Sequence, residues 1–124
     1  MSNAHRFQML GDIAILRVGG DVPFAAAMQS ITAAIVSAQQ QHISKLMIVT
    51  LELSTMKPPS IATRHFLARE WAIAAGAAMR VAIVAKAEMI DPQKLGVIVA
   101  RNFGATADAF TTEQDAIAWL DGND

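Results

Sequence analysis

The alternation of two hydrophobic periods along the chain is the feature that most constrains its fold. Short runs rich in β-branched residues, as in Ile13–Val18 and Lys45–Glu52, are typical of buried strands. They alternate with longer segments, as in Phe24–Gln41, whose apolar positions recur every three or four residues and indicate amphipathic helices. The predicted element order is ββαβαβαβα. This order favours an α/β domain with a mostly parallel sheet flanked by helices.

Turn and capping residues set the expected boundaries of these elements. Gly11–Asp12 predicts a tight turn between the first two strands, which makes the first strand an antiparallel edge. Ser60 and Asp91–Pro92 predict helix starts, and Gly76 predicts a helix end. The last helix has two candidate capping boxes, Thr111 with Gln114 and Thr112 with Asp115. We therefore expect a mixed five-stranded sheet with about four helices, forming one domain over residues 1–124.

Composition excludes several classes of function. The chain has no cysteine, which removes thiol catalysis, cysteine-based zinc sites and disulfides. Ten basic residues against eleven acidic ones give a net charge of -1, without the basic excess typical of nucleic-acid binding. The glycine-rich nucleotide motifs and the G-x-S-x-G nucleophile motif are missing from the sequence. We expect a protein that is not an enzyme and has no cofactor.

Hydropathy bears on where the protein is located. The most continuous apolar stretch, Trp71–Met79, is ended by Arg80 and is much shorter than the roughly 20 residues that a membrane-spanning helix needs. The N-terminal residues have no apolar run after their basic residue, as a secretory signal would. We therefore expect no membrane span and a cytoplasmic location.

The element order, together with the final segment Phe110–Leu120, resembles the SpoIIAA-like branch of the STAS (sulphate transporter and anti-sigma factor antagonist) superfamily. Within that segment a short strand leads into a capped helix with an Ala-x-x-Ala-Trp-Leu-like pattern. The resemblance covers most of the chain. It implies a mixed sheet with helices packed on it, and roles in partner switching, ligand sensing or lipid association rather than catalysis.

In anti-sigma factor antagonists a kinase phosphorylates a serine in an Asp-Ser-Ser/Thr-Gly-like turn after the central strand. The corresponding stretch here, Glu52–Ser60, has hydroxyl groups but neither the Asp-Ser pair nor the glycine. The resemblance makes Ser54, Thr55 and Ser60 the phosphorylation candidates; alternatively, Ser60 is only a helix cap and the other two form a turn. With these three, Met56 and Lys57 complete the predicted partner-binding loop.

Charged residues on the second helix suggest a further contact site. Arg64, His65 and Arg69 are candidates to contact an anion beside this loop; alternatively, they form an ordinary solvated helix face. The three histidines lack the short spacings of metal ligands, so no metal site is expected.

Two functions remain open from the sequence. The first is a regulatory module that docks a protein partner through the loop 53–60 and the helix that follows. The second is a domain that binds a small molecule or lipid in an apolar pocket between sheet and helices. The pocket candidates are Phe66, Trp71, Ile98 and Phe103. Alanine-rich helices pack closely, which counts against a cavity, and homodimer formation fits either function.

Overall fold

Strands and helices alternate along the chain as the hydrophobic periods predict. A computed structural model describes residues 7–53, 60–90 and 93–122. These residues form a mixed sheet of five strands with four α-helices and one short 3-10 helix. The strands are β1 (Gln8–Leu10), β2 (Ile13–Arg17), β3 (Lys45–Val49), β4 (Arg80–Val84) and β5 (Thr106–Phe110). The α-helices are α1 (Phe24–Gln40), α2 (Ile61–Ala75), α3 (Leu95–Asn102) and α4 (Glu113–Leu120), and the 3-10 helix is Ala87–Met89.

The strands lie in the sheet in the same order as in the sequence. β1 pairs antiparallel with β2 at one edge, and Gly11 in the turn between them has a positive φ of 61°. This confirms the predicted turn and the antiparallel edge strand. β2, β3, β4 and β5 pair parallel, each with the next. Because parallel crossovers are almost always right-handed, the three connecting helices fall on one face of the sheet.

The two faces of the sheet have separate cores. On one face, α1 and α2 pack against alternate strand residues such as Ala14, Leu46 and Val81. On the other face, α4 covers a second set through Ala116 and Leu120. That set consists of Ile13, Ile15, Met47, Val49, Ala82 and Val84, all buried. Since side chains of a strand alternate between faces, β3 contributes to both cores, as predicted for a central strand.

Capping explains where the helices begin. The Ser60 Oγ atom accepts a hydrogen bond from the Thr63 backbone N–H at 3.2 Å, which confirms the predicted cap of α2. Thr112 does the same for α4 by accepting from Asp115, so the second of the two candidate boxes is the one used. α3 begins only after Lys94, which has a left-handed backbone, and Asp91–Pro92 lie outside the described residues. No helix among the described residues has the length and apolarity needed to cross a membrane.

Polar contacts at both ends hold α4 on its face of the sheet. At its start, Arg17 on β2 donates two hydrogen bonds to the Glu113 carboxylate, at 2.7 and 2.8 Å. At its end, the Arg80 guanidinium lies 4.2 Å from the centre of the Trp119 ring and donates to the Trp119 backbone carbonyl. These bonds attach α4 to two different strands and fix its direction across the sheet.

A tight approach between two loops predicts that Gly19→Ala destabilises the fold. A Cβ atom at Gly19 would lie 2.8 Å from the Glu52 Cβ atom, where Gly20 also donates a backbone hydrogen bond to the Glu52 carbonyl at 2.9 Å. We expect a loss of about 1–3 kcal/mol in the free energy of unfolding, measured with urea. Gly96→Ala is the control, because its Cβ meets nothing within 4 Å and alanine favours a helix. Equal stability of the two variants would contradict the close approach.

The ion pair at the start of α4 predicts a pH-dependent contribution to stability. Hydrogen bonds from Arg17 hold the pKa of the Glu113 carboxyl below its ordinary value. A lowered pKa in the folded state stabilises the fold above the unfolded pKa of about 4.3, and this stabilisation is lost as the pH falls through the folded pKa. At pH 7 we expect Glu113→Gln to cost up to about 1 kcal/mol in urea unfolding, and we expect this difference to shrink as the pH falls through the folded pKa of Glu113.

The control for this measurement is Glu70→Gln on α2, where an exposed carboxylate lies 3.9 Å from Arg69. We expect this longer surface pair to contribute less at pH 7 than the two-bond pair of α4. A Glu113→Gln effect that stays the same at every acidic pH at which the protein is still folded would show that the charge of Glu113 is not what stabilises α4.

Candidate functional site

A cavity of about 180 Å³ lies between the sheet and the three helices that connect its parallel strands. Its walls come from α1, α2, α3, β4 and β5 and are almost entirely apolar. The larger side chains among them are Phe24, Met28, Ile31, Ile35, Leu67, Trp71, Val81, Ile83, Met89, Ile90 and Val97. The place is the one predicted for an apolar pocket, between sheet and helices.

Small residues leave this space unfilled. α2 and α3 contact each other through Ala68, Ala72, Val99 and Ala100, so their backbones approach closely. Ala107 and Ala109 lie on the same face of β5, and each contributes only a methyl group to the cavity wall. The cavity therefore has short side chains on its helix wall and on its sheet wall.

Trp71 is the largest side chain in the cavity wall, and its orientation is fixed. Its indole N–H donates a hydrogen bond to the Thr32 Oγ atom on α1 at 2.9 Å. The Thr32 hydroxyl in turn donates to the Met28 backbone carbonyl at 3.0 Å. The polar atom of the indole is thus satisfied by α1, and the ring is available as an apolar wall.

Four polar residues interrupt the apolar wall: Thr50, Arg64, Lys94 and Asp108. The Thr50 hydroxyl follows β3 and donates to the Val84 carbonyl at 3.1 Å. The Lys94 ammonium lies 2.7 Å from the Asp108 carboxylate and also donates to the Ala109 carbonyl at 3.0 Å. Arg64 comes from the first turns of α2, and its Nε atom is shielded from solvent. Sequence reasoning identified only Arg64 of these four; the others follow from topology, which brings separate segments together.

Of the four residues predicted to form a pocket, the structure brings only Trp71 to the cavity. Phe66, Ile98 and Phe103 are not in its lining, and their exposed fractions are 53%, 47% and 46%. The reason is helical geometry. Phe66 and Trp71 are five residues apart, roughly 140° around a helix, so one turns outward when the other turns inward. In α3 the inward positions are instead those of Gly96, Val97 and Ala100.

The three residues predicted to contact an anion also lie on different sides of α2. Arg64 lines the cavity, whereas His65 and Arg69 are exposed. The Arg69 guanidinium lies 3.9 Å from the Glu70 carboxylate and 5.9 Å from the centre of the Phe66 ring, on the outer surface of α2.

The predicted partner-binding loop lies mostly outside the described residues. Ser54, Thr55, Met56 and Lys57 lie outside the described residues. Ser60 is described, is exposed, and caps α2. Within the described ranges, no group of three or more histidine, aspartate or glutamate residues is arranged to hold a metal ion.

Comparison of the chain with protein-family models, with curated proteins and with solved structures gives no match. The resemblance to the STAS superfamily therefore stays a prediction.

Proposed function

We propose that this chain is a non-enzymatic cytoplasmic domain that binds one small, largely apolar molecule in the cavity between the sheet and helices α1 to α3. The observation that supports this is the cavity itself, an apolar space of about 180 Å³ beside a fixed indole ring. Concave, mostly apolar sites with a few polar groups are the usual form of small-molecule sites. An apolar space that is not filled by side chains also costs stability, which a ligand would offset.

The volume of the cavity limits the size of the ligand. An apolar cavity of about 150 Å³ is enough to hold a benzene-sized ring. Pockets for larger drug-like molecules are usually about 300–1,000 Å³. The cavity therefore fits a single ring or a short chain, and is too small for a lipid with two acyl chains.

Membership of the STAS superfamily is part of the proposal. It is supported by the five-stranded mixed sheet, the four helices, and the strand β5 leading into the capped helix α4. Ligand sensing is one of the roles that the resemblance implies, and it agrees with a binding cavity.

The proposal predicts that Trp71 fluorescence responds to a small apolar probe. In a Trp119→Phe background Trp71 is the only tryptophan, and we expect toluene to change its emission saturably. Ala107→Leu, which fills the cavity from β5, should abolish the response by occupying the same space. Ala33→Leu, on the exposed side of α1, is the matched control and should bind toluene as the wild-type chain does.

An unchanged emission of Trp71 up to the solubility limit of toluene would contradict the proposal. Equal responses in the Ala107→Leu and Ala33→Leu variants would also contradict it, because the probe would then be binding elsewhere. Urea unfolding of each variant verifies that it is folded.

We propose docking of a protein partner as the second candidate function, with a second copy of this chain as the partner. It is supported by two exposed apolar side chains on the outer surface of α2, Phe66 at 53% and Ile73 at 63% exposed, which are seven residues apart and so lie on the same side of the helix. Single exposed apolar residues are common, but two large ones next to each other on one side of a helix favour an interaction surface. This helix directly follows the loop 53–60 in which the sequence predicts docking.

Sedimentation equilibrium tests this second function. We expect a dimer of the wild-type chain that dissociates in a Phe66→Ser/Ile73→Ser variant, since removing apolar contact area weakens association. Phe103→Ser, which changes an exposed aromatic residue at the end of α3, is the control and should stay dimeric. A wild-type chain that is monomeric at every concentration would contradict the proposal.

A further inference from the structure

We infer that three charged side chains, Lys94, Arg101 and Asp108, close the free edge of the sheet at β5 to pairing with β5 of a second copy of this chain. Together these three residues form the edge clasp. Among the described residues β5 pairs with β4 alone, so its other side is an edge of the sheet. Unpaired backbone groups at such an edge can pair with a strand of another chain. Every copy of the chain carries the same edge, so a second copy is the partner to be excluded.

The hydrogen bonds between β4 and β5 show which backbone groups face this edge. The Phe110 carbonyl accepts a hydrogen bond from the Ala85 backbone N–H at 3.0 Å, so it points toward the β4 side. Backbone groups of successive strand residues point alternately to the two sides of the strand. Those of Ala107 and Ala109 therefore point outward, to the free edge.

Side chains of the edge clasp already occupy these outward groups. The Arg101 Nε atom donates to the Ala107 carbonyl at 3.2 Å, and the Lys94 Nζ atom donates to the Ala109 carbonyl at 3.0 Å. The Ala109 backbone N–H donates to the Asp108 Oδ1 atom at 2.8 Å. A strand that pairs with this edge would have to displace these three bonds first, and its own backbone would only replace what they provide.

The three side chains of the edge clasp also hold one another across the edge. The Lys94 Nζ atom lies 2.7 Å from Asp108 Oδ1, and an Arg101 nitrogen lies 3.6 Å from Asp108 Oδ2. Both cations come from α3 or the residue before it, on the cavity side of the sheet. Asp108 instead stands in register with Ala82, whose side chain faces α4. The carboxylate therefore reaches around the edge, and the clasp spans it from one face to the other.

Charge on β5 itself adds to this protection. Asp108 is the only charged residue of β5, and the strand contains no proline. Strands with little charge and no proline are prone to pair with other chains. An approaching copy would bring a second clasp, and burying its charges against the first would cost free energy of desolvation. The clasp thus supplies both the occupied backbone groups and the charge that keep two β5 edges apart.

Removing the edge clasp tests the inference. The clasp variant is Lys94→Gly/Arg101→Ala/Asp108→Ala, in which glycine replaces Lys94 because the backbone there is left-handed, with a φ of 52°. It is compared with the intact clasp by sedimentation equilibrium, both in the Phe66→Ser/Ile73→Ser background that removes the apolar surface of α2. We expect the association constant of the clasp variant to be at least about tenfold higher, because several backbone hydrogen bonds then form between copies at once.

Two further variants locate the association. Adding Ala109→Pro to the clasp variant should reverse it, since proline removes an outward N–H and is tolerated on edge strands. The matched control, Arg69→Ala/Glu70→Ala/Lys86→Ala in the same background, also removes two cations and one anion, all from exposed positions outside the clasp. It should associate no more than the background does. Circular dichroism and urea unfolding verify that each variant is folded.

Amide exchange in the wild-type chain tests the clasp without any substitution. We expect the Ala109 N–H, which is bonded to Asp108, to exchange at least about tenfold more slowly than in an unfolded chain, as measured by nuclear magnetic resonance. An Ala109 amide that exchanges at the unfolded rate would overturn the inference, whether or not the clasp variant folds. A folded clasp variant that stays monomeric would also overturn it, as would association that survives Ala109→Pro or appears equally in the control. None of these measurements depends on a ligand in the cavity.

Discussion

The rest of the structure depends on the parallel pairing of four strands in sequence order. Each crossover from β2 to β5 joins neighbouring strands, and right-handed crossovers place every connecting helix on the same face. Three helices therefore share one face, and only the C-terminal helix α4 is left to cover the other. This arrangement explains why one face of the sheet is covered by a single helix and the other by three.

The two faces of the sheet are packed with side chains of different size. α4 inserts Leu120 among large strand residues and is attached at both ends, to Arg17 and to Arg80. On the opposite face, α2 and α3 approach each other through alanines, Ala107 of β5 packs against them, and these short side chains leave the neighbouring cavity unfilled. A large side chain at Ala107 would fill the gap, so the space follows from the residues chosen there rather than from the topology.

Local patterns were sufficient to predict the order and most boundaries of the elements. Ser60 and Gly76 bound α2 as predicted, because capping depends on side chains and backbone angles within a few residues. The start of α3 differs, since Lys94 in a left-handed conformation precedes it, and no sequence rule favours lysine there. The cavity was harder to predict, because its wall combines segments that only the tertiary structure brings together. Phe66 and Phe103 are large and aromatic, which favours them as pocket residues in the sequence, but both are exposed. Helical spacing counted back from Trp71 points instead to Leu67 and Arg64, which line the cavity.

We propose that the apolar cavity beside the fixed indole ring of Trp71 binds one small molecule. The most direct test is to locate bound toluene by intermolecular nuclear Overhauser effects between its protons and protein methyl groups. We expect contacts to methyl groups of Ile83, Ala72 and Ala107 and to the ring of Trp71, all in the cavity wall. Contacts confined to the exposed rings of Phe66 and Phe103, or no contacts at saturating toluene, would contradict binding in the cavity.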